Sequence, residues 1–163
     1  MGTRGRLITL EGGEGAGKST QTATVVDWLQ GRGRRVLRTR EPGGSPLAEA
    51  IRALVLGQWD EGVTPQTELL LMFAARAAHV AATIEPALAR GEDVVCDRFI
   101  DASWAYQGAG RGLDDGVLGT LETLVLGRLR PDLVLLFDLP PDIGLARAHR
   151  RGKGNRFEAE DLA

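Results

Sequence analysis

Residues 12–19 read GGEGAGKS, a glycine-rich run that ends on a lysine and a hydroxyl with the spacing G-x-x-x-x-G-K-[ST]. That pattern lets successive backbone N–H groups turn inward on phosphate oxygens, while a helix starting at the lysine adds the positive end of its dipole. Its chemistry is the holding of a nucleoside triphosphate. Gly12, Gly13, Glu14, Gly15, Ala16, Gly17, Lys18, Ser19 and Thr20 are therefore the expected ATP-binding residues, with Lys18 on the β- and γ-phosphates and the Ser19 hydroxyl on Mg²⁺. The dinucleotide fingerprint G-x-G-x-x-G is absent, because Thr20 stands where a third glycine would follow Gly15 and Gly17.

A second requirement is a carboxylate linked to the metal. Asp97 and Asp138 each end an apolar run, and spacing does not choose between them. Asp97 is followed at once by Arg98, a pairing suited to phosphoryl transfer, and is favoured for that reason. No Asn-Lys-x-Asp guanine reader occurs, which argues against a GTPase.

These residues need a scaffold. The runs RLITLE, RRVLRTR, DVVCD and DLVLLFDL read as strands, the last two nearly continuous in apolar residues, as in parallel strands covered on both faces. Helices are expected over about 18–30, after Ser45-Pro46 with Leu47, Ile51, Leu54 and Val55 on one face, and after Thr64-Pro65 through Leu69, Leu70, Phe73 and Val80 with Pro86 as a kink. Two more follow over about 114–127 and after Pro140-Pro141. Strands separated by helices imply one α/β domain over residues 1–163, a parallel β-sheet with helices on both faces and ligands beyond the carboxyl ends of the strands.

Composition narrows the class further. Apolar residues at 43% exclude a disordered chain, and a net charge of −2 leaves no bulk positive field for nucleic acid. The single cysteine, Cys96, lies in an apolar run and reads as a small buried hydrophobe in preference to a catalytic thiol. With neither a leader pattern nor a long uncharged stretch, the expectation is a cytoplasmic protein without a membrane partner.

Taken together, EGGEGAGKST, TREPGGSPLAEAIR, LLLMFAARAAHV, CDRFIDASWAYQGAGRG and LRPDLVLLFDLPPDIGLARA resemble bacterial thymidylate kinase, in this order and at that family's spacing. The resemblance implies the P-loop nucleoside monophosphate kinase fold, ATP and Mg²⁺ as cofactors, transfer of the γ-phosphoryl group to dTMP, and a homodimer. It implies that Arg98 and Arg52 hold the acceptor phosphate, that Glu14 contacts the sugar 3′-hydroxyl and the metal's water shell, and that Glu41 helps position the acceptor. Arg76, Ser103 and Gln107 match positions on the thymine edge, and Tyr106 matches the residue under the deoxyribose. Where many members place a stacking phenylalanine, four residues before Arg76, this chain has Met72 with Phe73 next; either is a candidate for the pocket.

Two departures bear on catalysis. No arginine lies in the phosphate loop, so the family's basic lid, here ARAHRRGKGNR at about 147–156, is expected to supply Arg147 and Arg151 to the transferring group. Family chains continue past NRFEAEDLA, so the expected fold lacks a final strand and helix and a loop that contacts adenine. The rival expectations are a kinase for another nucleoside or monophosphate, and a nucleotide-binding protein with impaired catalysis.

Overall fold

The computed structural model describes residues 3–150, apart from the side chains of Ala148 and His149. Four parallel strands form one sheet in the order β2-β3-β1-β4: β1 is Leu7–Gly12, β2 Val36–Arg40, β3 Asp93–Asp97 and β4 Leu133–Phe137. Parallel neighbours need crossovers, and α1 (Lys18–Gln30), α2 (Pro46–Leu56), α3 (Pro65–His79), α4 (Glu85–Ala89), α5 (Ile100–Ser103) and α6 (Asp115–Leu126) lie between the strands, with α7 (Pro141–Arg150) after β4.

Alternation along the central strands feeds two cores. Ile8, Leu10 and Val95 point to one face, where they pack with Leu29, Val25 and Val26 of α1. Leu7, Val94 and Cys96 point to the other and meet Phe73, Ile84, Leu88 and Leu118. Each such fully buried aliphatic side chain contributes roughly 1.5–3 kcal/mol. This is the two-faced parallel sheet expected from the sequence. Aspartates tie its amino end: Asp132 Oδ2 accepts from Leu7 N at 2.7 Å, and Asp93 Oδ1 accepts from Arg6 N at 2.9 Å.

The helix starts follow their caps. Ser45 Oγ accepts from Ala48 N at 3.3 Å and Thr64 Oγ1 from Thr67 N at 3.2 Å, each followed by proline at the first helical position. Pro86 does not break the helix after Thr64. A π-helical stretch, Val80–Ile84, joins α3 to α4 and absorbs the missing N–H just ahead of the proline, so Pro65–Ala89 is one 25-residue rod. By length and composition alone this rod could cross a membrane, although Glu68, Arg76 and Glu85 interrupt it. Half of its apolar window is buried inside the fold, and Glu68, Arg76 and His79 on it are buried as well. It is a core helix.

Other expectations shift in detail. On α2 the inner face is Ala48 and Val55, with Leu47 and Leu54 exposed, and on α3 Leu70 is exposed too. The run DLVLLFDL is not covered on both faces among the described residues: Leu133, Val134 and Leu136 are exposed on β4, which ends the described sheet. The segment after Arg98 forms α5 and a π-helical turn, Trp104–Gly110.

Candidate active site

The carboxyl ends of β1, β2 and β3 open into one cavity of about 310 Å³. The phosphate-loop wall contains Glu14, Gly15, Gly17, Lys18, Ser19 and Thr20; Arg40, Glu41, Pro42 and Arg52 come from the β2 side, and Asp97, Arg98 and Phe99 from the end of β3. Met72, Arg76, Tyr106 and Gln107 complete the opposite wall.

The loop takes its shape from positive φ at Gly12, Gly15 and Gly17, of 139°, 70° and 93°. Gly15 has a second reason to be glycine: a Cβ there would run into the Gly144 carbonyl of α7, and a Cβ at Gly144 would run into the Glu14 carbonyl. Two glycines thus let α7 seat directly on the loop. Lys18 is buried and donates from Nζ to the carbonyls of Gly12 and Gly13, both at 2.8 Å. Burial, and then the charge of Arg98, hold its pKa below the ordinary lysine value. Ser19 Oγ donates to Asp97 Oδ2 at 3.3 Å, while Asp138 lies exposed beyond β4.

A carboxylate inside a phosphate loop needs a cation beside it, and Glu14 has one. Arg98 Nη2 donates to Glu14 Oε1, and the same guanidinium lies 5.1 Å from the Tyr106 ring centroid. Arg98 adopts φ 67°, in the left-handed region where a residue with a Cβ needs outside support. The support comes from both sides: its N–H donates to Leu10 O at 2.9 Å, the Cys96 thiol donates to its carbonyl at 3.1 Å, and the next N–H, of Phe99, donates to Glu11 Oε1 at 2.7 Å. Burial pushes the Glu11 pKa up to about 7, against the lowering effect of that Phe99 bond. Burial likewise raises the Cys96 thiol well above its ordinary value, so Cys96 is an inert strand residue.

Arg52 donates to Pro42 O at 2.7 Å and faces the cavity; burial, then the charge of Arg40, push its pKa down. Arg76 is held by three acceptors. Its Nε donates to Glu41 Oε2 at 2.7 Å, Nη1 to Ser103 Oγ at 3.0 Å and Nη2 to Phe99 O at 2.9 Å. Ser103 thus accepts from Arg76 and is absent from the cavity lining. Glu41 in turn accepts from His79 Nδ1 at 3.1 Å, and His79 Nε2 bonds Thr39 Oγ1 at 2.7 Å.

The choice between Met72 and Phe73 is resolved by packing. Met72 lines the cavity, and Phe73 belongs to the core, its ring centroid 5.0 Å from the Arg76 guanidinium carbon. Arg147 is an exposed residue of α7, one turn past the Gly144 contact. Arg151 and the rest of the segment up to residue 156 lie outside the described residues.

His79, Thr39, Glu68 and Glu11 were not singled out from the sequence. A signal existed for two of them. Glu68, Arg76 and His79 recur at i, i+8 and i+11, a polar stripe on the buried face of an apolar helix, which demands partners in the interior.

Comparison with known proteins agrees with this geometry. A sequence model of the family described as thymidylate kinase matches residues 10–163. The chain is 60% identical over 159 residues to a thymidylate kinase of Pseudomonas syringae pv. tomato and 61% identical over 160 residues to one of Chromohalobacter salexigens; in each case the match covers 76% of the relative, and 98% and 97% of this chain. Among solved structures, the crystal structure of thymidylate kinase from Ehrlichia chaffeensis superposes with a TM-score of 0.78 at 34% identity, covering 100% of this chain and 82% of that one.

Proposed function

Because the chain belongs to the thymidylate kinase family, we propose that it transfers the γ-phosphoryl group of ATP to dTMP, with the residues of the cavity in the roles below. An oxygen of the dTMP phosphate attacks the γ-phosphorus of ATP, the bond from that phosphorus to the ADP oxygen breaks, and dTDP and ADP leave. The observation that carries this reading is one cavity lined both by the phosphate loop and by Arg52, Arg76 and Arg98. Two polyanions can be seated there face to face.

Catalysis of this kind is positioning and electrostatics. Lys18 exchanges its two loop carbonyls for phosphate oxygens, and Arg98 and Arg52 hold the acceptor phosphate as guanidinium forks. Glu14, balanced by Arg98, is the group for the sugar 3′-hydroxyl. Tyr106 and Met72 pack against sugar and base, and Gln107 and Arg76 read the base edge. Arg147 and Arg151 are assigned to the lid; Arg147 reaches that role through the docking of α7 on the loop.

The Ser19 hydroxyl and Asp97 carboxylate, 3.3 Å apart beside the loop, fit Mg²⁺, which takes oxygen donors and commonly uses few protein ligands besides phosphate and water. When bound it would supply charge neutralisation between the β- and γ-phosphates. Among the described residues no cluster of three or more His, Cys, Asp or Glu forms a cage for a metal, consistent with an ion that arrives with the nucleotide.

Exposed Leu47 and Leu54, one above the other on α2, and Leu70 on the neighbouring α3 favour a second copy as the partner that covers them. A lone, buried Cys96 suits the cytoplasm. An ADP-release assay with dTMP, dUMP, dCMP and purine monophosphates tests the assignment. ADP release dependent on dTMP is the expected result; a stronger response to another monophosphate, or none to any, would overturn it.

A further inference from the structure

Gln107 is 1% exposed and lines the cavity, yet its Oε1 has no hydrogen-bond partner. Its Nε2 donates to Glu68 Oε1 at 2.8 Å. Glu68 is fully buried on α3, and its other oxygen, Oε2, accepts from Arg111 Nη2 at 3.1 Å. A carboxylate accepts hydrogen bonds and donates none, so the amide must turn its NH₂ to Glu68 and leave its oxygen for the ligand. Leaving a buried acceptor without a partner is costly, so a ligand N–H placed there is strongly favoured over a second lone pair.

Arg76 presents the opposite polarity on the same wall. Its guanidinium carries five N–H groups, and the bonds to Glu41, Ser103 and Phe99 use one on each nitrogen. An N–H donor from Arg76 near an acceptor from Gln107 matches a base edge with a carbonyl next to an N–H. Thymine and uracil show that imide edge; cytosine shows the reverse, an amino donor next to a bare ring nitrogen.

We propose that Glu68 is a specificity-determining positioning residue: by fixing the Gln107 amide it makes the site read an imide and refuse an aminopyrimidine. Glu68 does not line the cavity and acts through Gln107. The proposal rests on the dTMP kinase reading and adds to it the polarity of the base contact and the residue that sets it.

The test compares dTMP, dUMP and dCMP by calorimetric binding without ATP and by ADP release with ATP. In the wild-type chain dTMP and dUMP bind and dCMP is at least about a hundredfold poorer. In Glu68→Gln, whose amide can offer either group to Gln107, the dTMP:dCMP ratio of kcat/KM falls about tenfold or more with the KM for ATP unchanged. Glu68→Asp, which keeps a carboxylate, retains the preference. A uniform loss on every acceptor, or an unchanged ratio in folded Glu68→Gln, would overturn the proposal. If that variant does not fold, the wild-type comparison decides alone, since equal use of dCMP and dTMP means the amide presents its NH₂ to the base. The two readings fail separately: dTMP binding without turnover removes the kinase assignment and leaves the base reading, whereas turnover of dTMP and dCMP alike does the reverse.

Discussion

Arg76 Nε and Glu41 Oε2 lie 2.7 Å apart with side chains only 1% and 2% exposed, and their ion pair fastens α3 to the turn that follows β2. The pair has no solvent to fall back on. Removing one partner leaves a buried charge alone, which typically costs about 3–5 kcal/mol. Glu41→Ala is therefore expected to lower stability by that order in urea unfolding. It should also raise the KM for dTMP more than that for ATP, because Arg76 loses the acceptor that orients it.

Lys18→Ala removes the one ammonium of the loop. Its bonds to Gly12 and Gly13 brace the loop, and on the proposed reading its charge would meet the transferring group in the transition state. Turnover is expected to fall by at least about a hundred- to a thousandfold, as when a preorganised transition-state donor is lost. Thermal unfolding of the variant should change little by comparison.

Glu11 gives a pH signature. Its folded pKa of about 7 stands above the unfolded value of 4.5, so the folded chain binds the extra proton between those pH values. Stability from this group is thus full below about 4.5, declines as pH rises to about 7, and is flat beyond; the whole effect is at most on the order of 3 kcal/mol. Glu11→Gln, which keeps an acceptor for Phe99 N–H, should flatten that decline and exceed the wild type in relative stability above pH 7. Urea midpoints at pH 5 and 8 would show it, and an identical slope in both proteins would rule it out.

Gly144→Ala pushes a methyl into the Glu14 carbonyl. Alanine helps an isolated helix by up to about 1 kcal/mol, so a loss cannot come from propensity. The expected outcome is a severalfold rise in the KM for ATP, as α7 lifts from the loop, with little change in the KM for dTMP.

The phosphate loop, the strands and the caps were legible because each rests on local sequence: glycine spacing, apolar runs, and Ser or Thr before proline. The residues behind the site were not, because their partners are distant in the chain. The hydroxyl of Ser103, for example, accepts from Arg76, 27 positions away. Phe73 competed with Met72 for the pocket on equal terms until the register of α3 against the sheet turned Met72 to the cavity and Phe73 to the core. The exposure of β4 was hidden in a run whose composition is that of an interior strand, since composition does not say which strand lies at an edge.

The place of β1 in the middle of the sheet carries a further consequence for motion. Leu7 and Leu10 of β1 and Val94, Val95 and Cys96 of β3 are wholly inaccessible, and their amides should be among the last in the chain to exchange with deuterium. The phosphate loop and Arg98 grow directly out of these two buried segments, whereas Arg147 is an exposed residue of α7. On the proposed reading the triphosphate would be gripped by a loop rooted in two deeply buried strands, while Arg147 would come to it from the surface.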